Sequence, residues 1–457
     1  MPHSWRAELS GAFSGGTVPS PLLLLPRWLV PVRPRGALEN HALLVVGDRI
    51  AAIGPREELL ARHPEVEAIR LDTHVLLPGF VNSHAHAAMS LLRGLADDLP
   101  LMTWLERHIW PAESRFVYPD FVRMGTRLAI AEMLAGGTTC FNDMYFFPSE
   151  TALVAMEMGM RASVGHVVID FPNTYTKNAE DALQKAQEHL TGLRGFPLVK
   201  QGIAPHAPYT VSDWALQEAA ALARQEDLFL HMHVHETSQE IASALERDGR
   251  RPLHRLAGLG VLDSRFLAVH MTHLDASDLA LCAETGIRVA HCPESNLKLG
   301  SGISPVSALL RQGQKIGIGT DGAASNNDLD MLGELRTAAL LAKGREQDPT
   351  VLPAMDVLEM ATLGGAVACG WEEETGSLET GKAADCIAIN LDRAATSPVY
   401  DPVSQVVYCA GRDQVSHVWV AGRLRISGGL AVDWEEREMV VLAREWARRI
   451  AEKDGAR

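Results

Sequence analysis

A (β/α)8 TIM barrel carrying a small β-sandwich built from both chain ends is the fold this sequence predicts. Three observations carry the prediction. Strand-like and helix-like segments alternate eight times between about residues 75 and 380; short β-rich pieces flank that stretch on both sides; and histidines and one aspartate sit where strands end. Strand–helix alternation of this length points to a barrel, which can absorb about 250 residues as one unit.

The eight strand candidates are Val75–Asn82, Thr138–Asn142, Ser163–Asp170, Leu198–Ala204, Leu228–Val234, Phe266–Met271, Arg288–Ala290 and Lys315–Gly319. Amphipathic segments between them include Asp120–Ala135, Asp181–Leu193, Asp213–Gln225, Ser238–Asp248, Ser277–Glu284, Val306–Gln312 and Asp330–Lys343. Several open on Asp or Ser, which suits a helix N-cap. The stretch from Ala87 to Pro119 is too long for an ordinary βα connection and is expected to fold over the barrel mouth.

Outside the barrel, ALLVVGDRIAAIG reads as a hairpin turning at Gly47-Asp48, and Val415–Ile426 as a second one turning at Ala421-Gly422. These pieces place a composite β-sandwich domain at 21–76 and 381–432 and the barrel at 77–380. Residues 433–457 form a C-terminal helix in which Asp433 stands as the cap, and 1–20, rich in Gly and Ser, form a mobile leader.

The formal net charge of −15 argues against nucleic acid as a partner. No apolar run approaches the roughly 18 residues of a membrane span. The six cysteines form no CxxC pair, which suits a reducing compartment and a cytoplasmic protein.

The histidines are informative by placement. His84 and His86 (NSHAH) follow the first strand candidate at i,i+2, a spacing that puts both on one side of an extended backbone. His231, His233 and His235 (HMHVHE) repeat the pattern on the fifth, His270 ends the sixth and Asp321 ends the eighth. Barrel strands converge at their C-terminal ends, so these side chains meet at one face. Imidazoles with a carboxylate suit Zn²⁺ with one position left for water. A lone buried histidine is more often a core residue satisfied by a carbonyl; this many in barrel order are not. The pattern alone does not choose among His231, His233 and His235.

PGFVNSHAH, WLERHIWPAE, APHAPYT, HVHETSQE, the AVH ending, HCPESN and GTDGAASNN together resemble the amidohydrolase superfamily. Within it they are similar to the 5-methylthioadenosine/S-adenosylhomocysteine deaminases and their s-triazine hydrolase relatives, from about residue 22 to 430. The resemblance implies that His84, His86, His233 and Asp321 are the metal ligands, and its H-x-x-E unit pairs His233 with Glu236. It implies one ion per subunit, Zn²⁺ or alternatively Fe²⁺, Mn²⁺ or Ni²⁺, because His206 stands where binuclear relatives place a bridging lysine. It further implies Glu236, His270 and Asp321 as the catalytic groups. Glu113 would take ribose hydroxyls and His206 the nucleoside, with Glu236 and Asp321 also touching the substrate and Trp104 and Trp110 walling the purine. The partner is then a small-molecule nucleoside, with a homo-oligomer open.

His166 replaces an arginine that the family's thermophilic-type members carry, which favours methylthioadenosine and adenosine over S-adenosylhomocysteine. The expected reaction is hydrolytic deamination to the inosine analogue plus ammonia. A related enzyme acting on guanine, an oxidised purine, a pterin or a chloro-s-triazine is the runner-up. A third reading is a barrel that holds metal without turnover, and Glu236 and His270 argue against it.

Two motifs mislead. Gly317–Gly322 fits GxGxxG, yet its internal Asp321 would repel a pyrophosphate and no acidic partner follows in 337–344. Gly376–Lys382 nearly matches a P-loop, but Ala383 replaces the Ser or Thr, so it reads as a turn returning the chain to the sheet domain.

Overall fold

Eight parallel strands follow one another in unbroken order: Phe80–Ala85, Thr138–Tyr145, Arg161–Val168, Val199–Pro205, Phe229–Val234, Phe266–His270, Arg288–His291 and Lys315–Ile318. The structure is a computed structural model that describes residues 19–454. The predicted leader therefore lies outside the described residues, apart from 19 and 20. The second, third, fifth and sixth strands are buried along their whole length, as expected where the barrel interior covers one face and helices the other.

The last strand closes on the first. Asn82 Nδ2 donates to Thr320 Oγ1 (2.7 Å), the Thr320 amide donates to Asn82 Oδ1 (3.0 Å), and the Asp321 amide donates to the His84 carbonyl (2.9 Å). This seam needs glycine. A Cβ at Gly317 would lie 2.0 Å from Ser83 Oγ, and one at Gly319 would lie 2.7 Å from the His84 nitrogen. The glycines of the GxGxxG look-alike thus serve close backbone approach within the barrel.

The predicted first strand needs correction. Val75–Pro78 belongs to a long strand, Glu67–Pro78, of the other sheet, and the barrel begins at Phe80. One apolar run conceals two strands because Gly79 bends the chain where a Cβ would come within 2.1 Å of Thr139. A helix absent from the sequence reading, Pro148–Met158, joins the second and third barrel strands. It is buried over most of its length, so it shows no polar face for a period to reveal. Of the Asp and Ser residues that open the predicted helices only Asp330 is the cap; three other helices are capped one to three residues earlier, by Asn178, Thr237 and Asp275, each accepting from a first-turn amide.

The strands from both chain ends form one hydrogen-bonded mixed sheet of nine. Cys386–Asn390 pairs antiparallel with Glu67–Pro78 and so joins the C-terminal strands to the N-terminal ones. Both predicted hairpins are present, with Gly47, Ala421 and Gly422 at positive φ as tight β-turns require. Leu24, Leu43, Leu76, Cys386 and Trp419 share a core contributed by both ends. Residues 376–382 lace onto the first hairpin, the Ile50 amide donating to the Lys382 carbonyl (2.9 Å) and the Gly381 amide to the Ile50 carbonyl (2.8 Å).

The C-terminal helix, Glu436–Asp454, packs Trp446 edge-on against Phe121 with ring centroids 5.3 Å apart. Asp433 does not cap it; its carboxylate accepts from Arg425 Nη1 at 2.9 Å. Among the described residues no helix is long and apolar enough to cross a membrane.

Candidate metal centre and active site

His84, His86, His233 and Asp321 come together at the C-terminal end of the barrel. Each offers one ligand atom, and the four atoms lie within 4.8 Å of one another. Asp321 Oδ1 stands 3.2 Å from Nε2 of both His84 and His86, and His233 Nε2 is 3.2 Å from His84 Nε2.

The outward nitrogens are committed elsewhere. His86 Nδ1 donates to the Met144 carbonyl (2.6 Å) and His233 Nδ1 to the His206 carbonyl (2.9 Å). In the neutral ring each Nε2 would then carry the lone pair that a metal ligand requires. Burial lowers the His84 pKa to about 4 and holds that of His233 well below its usual value, so both stay neutral, again as ligation requires. Burial also opposes charge on His86, but the hydrogen bond and negative charge of Asp321 outweigh it and raise that pKa to about 9. Three imidazoles around one carboxylate, with their other nitrogens spent, fit a divalent cation.

Asp321 is fixed on its far side as well. Its Oδ2 accepts from Ser295 Oγ (2.7 Å) and Ser325 Oγ (2.8 Å), which leaves Oδ1 to face the histidines. His84 Nδ1 lies 2.9 Å from His231 Nε2, so His231 sits behind a ligand. His235 takes a third course: at φ 55 it leaves the strand, and its ring bonds the His273 carbonyl and the Leu253 amide. The three histidines of HMHVHE thus occupy three different environments.

Glu236 and His270 flank the cluster, with His270 Nε2 3.9 Å from Glu236 Oε2. Asn296 Oδ1 lies 2.8 Å from His270 Nδ1, which fixes the ring and leaves Nε2 free. Burial raises the Glu236 pKa, against the attraction of His270, so this carboxyl holds a proton further into the neutral range than usual. The turn that carries it is clamped by Glu240, whose carboxylate accepts from the His235 amide (3.1 Å) and the Glu236 amide (2.7 Å).

A cavity opens over these groups, and His206, Trp104 and Trp110 line it together with Glu113. As expected, the stretch from Ala87 to Pro119 covers the mouth, through short helical segments at Leu101–Trp104, Leu105–Ile109 and Trp110–Phe116. Trp104 is buried; Trp110 lies 5.7 Å, ring to ring, from Phe171 across the cavity rim. Burial raises the Glu113 pKa to about 7, even though Tyr145 Oη donates to it at 2.9 Å. His206 Nδ1 meets Thr210 Oγ1 at 3.0 Å.

His166 does not reach this cavity: it is buried in the third strand, with Nε2 3.1 Å from Gln201 Oε1. Among the described residues no lysine or arginine lines the cavity.

Sequence reasoning missed Tyr145, Ser295, Ser325, Asn296 and Glu240. None is of a metal-binding type at ligand spacing, and each works by holding another functional group. Four of them stand inside motifs quoted for the resemblance, Ser295 and Asn296 in HCPESN, Ser325 in GTDGAASNN and Glu240 in HVHETSQE, but none was given a role there; Tyr145 lies outside every motif.

The chain matches the amidohydrolase family over residues 75–425, and residues 42–65 match a bacterial imidazolonepropionase-like composite domain. It is 43% identical over 427 residues to a 5-methylthioadenosine/S-adenosylhomocysteine deaminase of Teredinibacter turnerae, covering 93% of this chain and 97% of that one. It is 40% identical to a 5'-deoxyadenosine deaminase of Methanothermobacter thermautotrophicus, covering 89% and 94%. The crystal structure of an adenosine deaminase from Xanthomonas campestris with bound zinc superposes with a TM-score of 0.93 at 46% identity, over 94% of this chain and 98% of that one. An atrazine chlorohydrolase from Arthrobacter aurescens shares the fold, with a TM-score of 0.86 at 24% identity over 93% and 100%. A nearly closed barrel with a four-donor cluster at its mouth, matched over most of its length by these proteins, makes this chain a metal-dependent hydrolase and a member of the amidohydrolase family.

Proposed function

We propose that the protein deaminates adenosine-type nucleosides, 5′-methylthioadenosine foremost, releasing ammonia and the inosine analogue, with one Zn²⁺ held by His84, His86, His233 and Asp321. The observation that carries this reading is that the four-donor cluster, Glu236, His270 and the lid carboxylate Glu113 all border one cavity. The names of the relatives support an adenosine-type substrate.

When bound, the ion supplies Lewis acidity, which brings the pKa of water from about 15.7 towards about 7. The protein's own groups then divide the proton work. Glu236, whose hold on a proton burial strengthens, donates to N1 of the purine, drawing electrons from the ring as C6 is attacked. Asp321, oriented by Ser295 and Ser325, accepts a proton from the attacking water and passes it towards the leaving amine. His270, fixed through Asn296, presents Nε2 to hold and polarise the nucleophile. Glu113 accepts from the ribose hydroxyls, His206 bonds the nucleoside, and Trp104 and Trp110 exclude water around the purine. The lack of a cation in the wall favours an apolar 5′ substituent over a homocysteine carboxylate, which would be buried unpaired.

The test is an ultraviolet-absorbance assay on zinc-loaded protein with methylthioadenosine, adenosine, S-adenosylhomocysteine and guanine. Turnover is expected in roughly that order for the three nucleosides and to be negligible for guanine; guanine turnover exceeding all three would sink the proposal.

A further inference from the structure

The second barrel strand supplies none of the four donors, yet its last three residues reach both the His86 segment and the lid. Asp143 Oδ1 accepts from the Ala87 amide (2.7 Å), just past His86. The Met144 carbonyl accepts from His86 Nδ1 (2.6 Å). Tyr145 Oη donates to Glu113 Oε1 (2.9 Å), on the lid.

Tyr145 is 4% exposed, and its ring is wedged between His86 (6.3 Å between centroids) and Phe146 (5.4 Å). A phenol held by a strand end has little freedom, so the oxygen it bonds is fixed with it. Glu113 lies on the continuous helical run from Leu101 to Phe116 that covers the mouth, and the Tyr145 hydroxyl supplies a hydrogen bond to its carboxylate from the barrel. A carboxylate has two oxygens and about four acceptor sites, so one Tyr145 bond leaves capacity for two hydroxyl donors.

We propose that Tyr145 is a specificity-determining positioning residue: it fixes Glu113 so that the remaining carboxylate lone pairs meet the 2′- and 3′-hydroxyls of a ribose. Tyr145 thereby ties the lid to the strand that also orients His86. This inference rests on the nucleoside reading above, in which Glu113 binds the sugar. It adds that the sugar's recognition is set from the barrel, through a hydroxyl.

The experiment compares wild type, Tyr145→Phe, Glu113→Gln and the double variant as zinc-loaded enzymes, with adenosine and 2′,3′-dideoxyadenosine as substrates. Loss of one hydrogen bond to a charged group should raise the KM for adenosine about tenfold in Tyr145→Phe, with a smaller change in kcat. The KM for the dideoxynucleoside should not move, and zinc stoichiometry should stay at the wild-type value. In the Glu113→Gln background the Phe substitution should add little, because the two groups act as one unit. Three outcomes overturn the proposal. A rise in KM in Glu113→Gln but not in Tyr145→Phe sinks it while leaving the nucleoside reading intact. Equal effects of Tyr145→Phe on both substrates mean that the tyrosine merely supports the fold. No discrimination by either variant removes the ribose role of Glu113 and the nucleoside reading with it.

Discussion

The metal end and the lid end of the cavity are built on different principles. At the metal end the side chains sit on or just after strands, and their second atoms are held by backbone carbonyls, by serine hydroxyls on short neighbouring helices or, for His84, by the imidazole of His231. At the lid end, Glu113 and Trp110 sit on the helical run 101–116, Glu113 meeting the Tyr145 hydroxyl and Trp110 the ring of Phe171, while Ile109, Ala112 and Phe116 pack into the core. On the proposed roles, chemistry that needs sub-ångström placement is on the barrel strands, and selection of the substrate is on the connection laid over them.

Removing a donor should break the comparison most severely. Asp321→Asn should cost the bound metal and at least about 10³-fold in kcat, because on the proposed roles a ligand and a proton acceptor go together; metal analysis by plasma mass spectrometry alongside the deamination assay checks this. Glu236→Gln should lower kcat by about 10²–10⁴-fold while the metal stays bound. A loss of metal equal to that in Asp321→Asn would mean that Glu236 is a ligand, and the division of roles would fall.

The lid should respond in KM instead. Trp110→Ala removes the contact with Phe171 and should raise the KM for every purine nucleoside about tenfold, given the worth of an aromatic pair together with its buried area. An unchanged KM with a depressed kcat would place the lid in the chemistry.

The smallest effect concerns Glu240, beneath the turn of Glu236. Burial raises its pKa to about 8, against the pull of two backbone amides. The folded protein therefore binds one more proton than the unfolded chain between the ordinary carboxyl value of about 4.5 and about 8, so stability falls as pH rises through that window and levels off above it. Glu240→Gln should flatten this slope. Thermal melts at pH 5 and pH 8 measure it, and identical slopes in the two proteins would remove Glu240 from the account.

Much of the metal end was legible in the sequence because ligands must be of a few residue types at strand ends. The choice of His233 was not legible from spacing. Residues 231, 233 and 235 alternate identically along an extended chain, and only the turn to positive φ at His235 and the burial of His231 behind His84 separate them. Val75–Asn82 read as one strand because hydrophobic periodicity carries no trace of a sheet boundary, which a single glycine makes here. Tyr145 and the two serines were illegible for a different reason. Their work is defined by what they touch, and those neighbours come from distant parts of the chain.

The glycine-lined seam between the first and last strands has a consequence for biosynthesis. A nascent chain that has emerged only as far as Lys315 already carries three of the four donors, but lacks the strand that bonds its backbone to the His84 carbonyl. Premature capture of a cation by such a fragment would be weak and open to exchange. If these four residues are the ligands, as proposed, tight loading would have to wait until translation delivers Asp321, and assembly of the metal-bound protein would be ordered by the ribosome as well as by affinity.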